Sequence, residues 1–407
     1  MMKLLLYEMR KNIIRRYMLC LLFVSIILNM FNIYIQYRQT GIGLSEEITE
    51  TSTTEKQWEY YVELHSMLDG KITLEKATYV KNEFDKYAPF ISSGEYSMEY
   101  NPENTKTGFF YGDYSILETY FYVPFEYLVN YQTENDKIVN RAIENIDLFT
   151  EKGNKYEVEK NQYVVKHYKD RYCSRFYDFQ GWNKLIQYDN SDLFIFIFLL
   201  LAIVPCYHNE DKYKMNEIIL VSKNWEKGYL DYKRYALYFW IVFLVIVFTL
   251  NDGMMFHLLY GLHGGMVKLY ALTEYQYTWF SGSVFEFYVV MKILKCMGII
   301  VLTEINFFFC RKIKNVYMVY IVLILVLVAG LYYSGFACSA NPLKQYITLL
   351  NPLSIFQFAE ISKKYYGLNC FGHFIPWLLC SMFIQSVVFL IFKFVFNSRR
   401  KIKKRRN

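Results

Sequence analysis

A chain of 407 residues is long enough for two or three soluble domains, yet 54% of it is hydrophobic and 20% aromatic, an excess gathered into blocks. Lys and Arg outnumber Asp and Glu by 45 to 38, but the surplus sits in short runs flanking those blocks, which argues for membrane topology and contact with anionic lipid and against nucleic acid as a partner. The eight cysteines show neither a CxxC pair nor Cys/His ligand spacing, which excludes the usual zinc and dithiol motifs.

Residues 1–16 read as a cytoplasmic amphipathic entry helix carrying Lys3, Arg10, Lys11, Arg15 and Arg16. The apolar run behind them is long and lacks a small-residue cleavage pattern, so 17–37 reads as a retained first transmembrane helix. The polar block 38–190 is large enough to be an extracytoplasmic domain. In it Trp58, Tyr61, Val62, His65, Met67 and Leu68 recur at helical spacing until Asp69-Gly70, and Thr73 is placed to cap a second helix that Ala88-Pro89 stops. Between Ile91 and Gln132 the abundance of Gly, Ser, Asn and Tyr suits turns and short extended pieces; helical patterning returns from Asn135 and carries aromatic residues up to the membrane.

The second span is expected at 191–207, a cytoplasmic segment at 208–234, the third span at 235–260 and an outer loop at 261–283. The fourth span, 284–310, contains Glu304; a cytoplasmic loop, 311–315, leads to the fifth span at 316–336. In the outer loop 337–372, Asn341-Pro342 and Asn351-Pro352 are each placed to start a short re-entrant or interfacial helix. A sixth span, 373–396, and a basic tail, 397–407, complete the pattern. Cys338 and Cys370 share that last outer loop and could pair, although two free thiols are the plainer reading.

The positive-inside rule gives one consistent orientation, because Lys212, Lys214, Lys223, Lys227, Lys233 and Arg234, then Arg311, Lys312 and Lys314, then the tail, all fall on the side of the N-terminal basic cluster. The expected architecture is therefore an all-α polytopic membrane protein, with six transmembrane helices and a mostly helical extracytoplasmic domain. It crosses the cytoplasmic membrane with both termini in the cytoplasm.

The chain contains no GxxxxGK[ST] loop, no HExxH, no GxSxG and no kinase-like set, so no catalytic residue, metal site or cofactor of its own is expected. Ionisable residues at membrane depth are better candidates for function. Glu304, Lys292, Lys295 and Asp252 are the ones to watch; most are expected in structural pairs or snorkelling, with Glu304 and Asp252 as candidates for a substrate path. Lys292 and Lys295 are too far from Glu304 along one straight helix to pair with it.

The segment Asn216 to Tyr235 mixes charges with Ile218, Ile219, Leu220, Trp225 and Leu230. It could lie on the membrane surface, dock into a groove of a soluble partner with Trp225 as anchor, or be a helix with no partner.

Taken together, four stretches resemble the ABC-2 type membrane subunits of ATP-binding cassette exporters, in the form with a large outer domain found in low-GC Gram-positive bacteria. LLLYEMRKNIIRRY is similar to the entry helix of that family, YVELHSMLDGKITLEKATYVKNEF to its outer helical hairpin, YHNEDKYKMNEIILVSKNWEKGYLDYKRY to its coupling segment, and LNPLSIFQFAE to its Pro-initiated outer helix before the last span. The resemblance implies that Glu210, Glu217, Ile219, Leu220, Ser222, Trp225 and Lys233 contact a separate ATP-binding cassette ATPase subunit. It further implies that ATP and Mg belong to that partner, and that a second permease copy or homologue meets this chain in the lipid membrane. The Gly-Thr common after the early Glu is replaced here by a stretch with Lys214 and Met215, and Trp225-Glu226 stands where Gly-Arg is common, which fits a dedicated ATPase. A membrane-anchored ligand-binding sensor or immunity protein without transport activity is the alternative.

Overall fold

Long apolar helices dominate the computed structural model, which describes residues 2–39, 54–94, 96–97, 109–212, 229–339, 341–365 and 367–404. Among these residues, six helices have the length and hydropathy that a bilayer crossing demands, so the chain is an all-α multi-pass membrane protein.

The entry segment is a short helix α1 (Met2–Glu8) followed by a π-helical turn (Met9–Ile13). The first span, α2 (Arg16–Gln39), begins only after the chain breaks at Ile14. Met9 and Ile13 are buried in the same cluster as Leu237 and Trp240 of the third span, so the entry segment belongs to the membrane bundle.

The polar domain starts with α3 (Thr54–Leu68), a strand β1 (Gly70–Lys71) and α4 (Leu74–Ser93). Thr73 caps α4, accepting from the Lys76 amide at 3.3 Å. The expected stop at Ala88-Pro89 is corrected: Pro89 lies inside α4, which ends at Gly94 in the left-handed conformation, φ 72°. Asp85 and Pro89 are both exposed, so the carbonyl that loses its donor to proline can be hydrated and the helix continues. After strands β2 (Tyr96–Ser97) and β3 (Phe109–Phe110) the chain is helical from Tyr111, through α5 (Tyr111–Ile116), a π-helical stretch (Leu117–Tyr122) and α6 (Val123–Glu151). The expectation of turns as far as Gln132 thus fails over 111–132. There Ile116, Leu117, Phe121, Phe125 and Leu128 face Tyr61, Leu64, Leu68 and Val80 in one core, and burial of that stripe outweighs the turn-prone composition. The helix α7 (Lys155–Tyr168), strand β4 (Arg175–Phe176) and α8 (Gln180–Gln187) lead to the second span, with β1 and β4 paired antiparallel.

The second span is α9 (Asn190–Lys212) and the third α10 (Tyr229–Tyr260), which begins six residues before the expected boundary. The fourth, α11 (Val284–Lys312), starts with a capping box between Ser283 and Glu286; the fifth is α12 (Val316–Ser334). The loop after the fifth span holds α13 (Pro342–Thr348), a 3-10 turn (Pro352–Gln357), α14 (Phe358–Ser362) and a hairpin of β5 (Gly367–Cys370) with β6 (His373–Pro376). The last helix, α15 (Trp377–Lys404), runs well into the expected tail. In the apolar windows of the second and fourth spans 61% of residues are buried, against 11% and 17% in the fifth and sixth, which puts the former at the centre of the bundle and the latter at its edge.

Both expected Asn-Pro starts occur. Asn341 Oδ1 accepts from the Leu343 amide at 3.0 Å and Asn351 Oδ1 from the Leu353 amide at 3.1 Å. The second of these is re-entrant: Leu353, Ser354 and Ile355 are fully buried, and the Pro352 carbonyl packs against Gly298, the fifteenth of the 29 residues of α11. On the other side Asn351 Nδ2 donates to the Gly330 carbonyl of α12 at 2.7 Å. Non-helical backbone at this depth persists only where protein surrounds it, and here two spans do.

Several polar ties join domain and bundle. Tyr127 Oη donates to the Tyr270 carbonyl at 2.6 Å, the buried Arg171 donates through Nη2 to the Thr278 carbonyl at 2.7 Å, and Glu159 accepts from His373 Nδ1 and the Phe374 amide at 2.7 and 2.8 Å. Those two donors hold the Glu159 carboxyl below the usual range.

Two outcomes follow. A Cβ at residue 298 would lie 2.7 Å from the Pro352 carbonyl, so Gly298→Ala must part the turn from α11; thermal unfolding in detergent should show a loss of about 1–3 kcal/mol. Burial pushes the Asp113 carboxyl up to about 6 from 3.8, so between those values the folded state holds more protons and stability falls as pH rises. Asp113→Asn should therefore raise stability at pH 7, by at most about 3 kcal/mol, and flatten the profile between pH 4 and 6; a steep profile in the variant would assign that dependence elsewhere.

Candidate functional site

Charge at membrane depth is gathered into two layers, one toward each end of the bundle. In the layer nearer the polar domain, Asp252 of α10 is fully buried and accepts from Asn29 Nδ2 of α2 at 2.7 Å. Asn29 Oδ1 in turn accepts from Tyr188 Oη at 2.7 Å, and Lys292 of α11 stands 3.8 Å from the other Asp252 oxygen. One turn further along α11, Lys295 bonds Asp189 at 2.5 Å and Asp192 at 2.7 Å, at the start of the second span. Lys295 is 1% exposed, so its two carboxylate partners replace the hydration it has lost.

The second layer lies toward the other membrane face. Glu304 of α11, 1% exposed, accepts a hydrogen bond from Tyr238 Oη and faces Arg234 Nη2 at 3.2 Å. The Arg234 contact is an ion pair whose angles fall short of a hydrogen bond, so its attraction is mainly coulombic. Arg234 also reaches Asp231 Oδ1 at 3.4 Å, and its guanidinium lies over the Phe307 ring at 5.9 Å. Residues 231, 234 and 238 share one face of the first turns of α10 because they are three and four residues apart.

Of the residues singled out from the sequence, Glu304, Asp252, Lys292 and Lys295 are all paired and buried, in two separate layers. The expectation that neither lysine reaches Glu304 holds; Glu304 is met from α10 instead. Lys233 is 2% exposed and lies in the bundle, which places it with the anchor of the 208–234 segment and not on an exposed face. Glu217, Ile219, Leu220, Ser222 and Trp225, and the side chain of Glu210, lie outside the described residues. Sequence reasoning counted Arg234 among topology charges and missed its role. The signal available was Asp231, Arg234 and Tyr238 on one helical face at the start of an apolar run, and likewise Asp189 and Asp192 before the second span.

The arrangement makes no nucleophile–base pair, and among the described residues no group of three or more His, Cys, Asp or Glu is placed to hold a metal ion. What it can do is mechanical. The segment between the second and third spans enters α10, and α10 is fixed to α11 by a buried charge pair within its first two turns. Compared with known proteins, the chain matches no family model, no curated protein and no solved structure.

Removing one partner of a buried pair leaves the other uncompensated. Arg234→Met should cost about 3–5 kcal/mol in detergent, while the double change Arg234→Met with Glu304→Leu should recover most of that loss. Additive losses would mean that the two side chains do not interact.

Proposed function

We propose that this chain is the membrane-spanning permease subunit of an ATP-binding cassette exporter of the ABC-2 type, seated in the cytoplasmic membrane with both termini in the cytoplasm. A separate ATPase subunit binds ATP and Mg, and the substrate path lies between this chain and a second permease copy or homologue. The observation that carries the reading is the Arg234–Glu304 pair with Tyr238, at the point where the 208–234 segment becomes the third span. A partner that pushes on that segment moves α10 and α11 together, because a displaced Arg234 would strand a carboxylate in low dielectric. The six spans support the reading because an even number returns both ends of the chain to one side, and the flanking Lys and Arg favour the cytoplasm for that side.

A cavity of about 550 Å³ favours the second reading, a ligand-binding sensor or immunity protein. It opens between residues 172–177 and 263–271 and is lined by Arg175, His263 and Lys268, with no carboxylate among its lining residues.

The test is co-expression with candidate ATP-binding cassette ATPases from the same genome, followed by co-purification and ATP turnover in lipid. The chain should retain one ATPase and stimulate it, and Trp225→Ala or Glu217→Lys should weaken retention at least tenfold. Retention unchanged in both variants would remove the docking role. A chain that retains no ATPase leaves the sensor reading in its place.

A further inference from the structure

The hairpin before the sixth span gathers three of the eight cysteines, spread across 43 positions of sequence, around one small core. Cys338, Cys370 and Cys380 all pack against the cluster formed by Ala337, Leu349, Ile361, Leu368 and Trp377. The backbone links two of the three closely in the fold. Cys370 ends β5, in register with His373 of β6; β6 runs directly into α15, and Cys380 sits in the first turn of that helix. The side chain that acts on the Cys380 thiol is that of Cys370. Both thiols are free and half-buried, packed on apolar side chains yet within reach of a small reagent. The turn between the strands keeps the Cys370 side open. Phe371 and Gly372 both adopt positive φ, 54° and 85°, as a two-residue hairpin turn requires, and Phe371 projects fully into solvent.

We infer that Cys370 and Cys380 form a redox site, closing to a disulfide when a low-molecular-weight disulfide is available as oxidant. The Cys370 thiolate attacks one sulfur of that disulfide, forming a mixed disulfide and expelling one small thiolate, which takes up a proton. The Cys380 thiolate then attacks the Cys370 sulfur, expelling the second small thiolate. Two protein thiols have been oxidised by two electrons and one small disulfide has been reduced to two thiols.

The consequence is local. β6 is already held to the polar domain, through His373 and Phe374 on Glu159. The new bond would fasten β5 to the sixth span, so that domain, hairpin and span form one continuous connection. The Cys338–Cys370 pairing left open by the sequence is set aside, because Cys370 faces Cys380.

The experiment uses the full-length protein in detergent, reduced, desalted and exposed to oxidised glutathione, with thiols counted by alkylation and mass spectrometry. Two of the eight thiols should be lost, with a peptide cross-linked between Cys370 and Cys380. Cys370→Ser or Cys380→Ser should abolish the cross-link, with Cys370 trapped as its glutathione mixed disulfide in Cys380→Ser, whereas Cys338→Ser should keep it. Full alkylation of Cys370 and Cys380 in the oxidised wild type, or a cross-link that joins either of them to Cys338, overturns the inference. The assay needs no ATPase and no orientation in a membrane, so its outcome is independent of the proposed transport role.

Discussion

A charged side chain inside a bilayer has no water to turn to, and the bundle is organised around that constraint. Each of the four ionisable groups in question finds an opposite charge on another helix: Asp252 with Lys292, Lys295 with Asp189 and Asp192, and Glu304 with Arg234. Such pairs add little net stability over a well-packed apolar core, but breaking one is costly, so they specify which helices must be neighbours. The apolar contacts around them are less selective. Leu237, Ile241 and Leu244 are fully buried yet could pack against many partners, while Arg234 tolerates few.

The same constraint acts on backbone. The turn at Pro352–Gln357 could not survive facing lipid, and it survives because Gly298 lets its carbonyl approach α11 and because Asn351 bonds the Gly330 carbonyl. The loop after the fifth span is thereby held inside the bundle, and the hairpin and the polar domain are tied to the same region through Glu159.

Much of this was legible in the sequence, for identifiable reasons. Spans show themselves because a bilayer demands some twenty apolar residues in a row, and the caps at Thr73, Asn341 and Asn351 show themselves because they act within three residues. Pro89 misled because its effect depends on whether the freed carbonyl can reach water, which composition does not reveal. The stretch 111–132 misled because its Gly, Ser and Tyr obscured an apolar stripe whose partner, on α3 and α4, lies some fifty residues upstream. The partners of Glu304 and Lys295 were hidden for the same reason: 70 and 103 positions separate Glu304 from Arg234 and Lys295 from Asp192, and no local pattern encodes such a contact.

The third and fourth spans are bolted twice, at Arg234–Glu304 and at Asp252–Lys292. The bolts lie roughly 27 Å apart along α10 and roughly 18 Å apart along α11, the difference being bridged by the length of the Arg and Lys side chains. A single fastening would leave a pivot, but two on one axis remove it. Both ties resist swivelling and scissoring of one helix against the other, so this pair acts as a beam. Any rocking of the bundle is then a motion of the other spans about that beam, with the little-buried fifth and sixth helices at its edge.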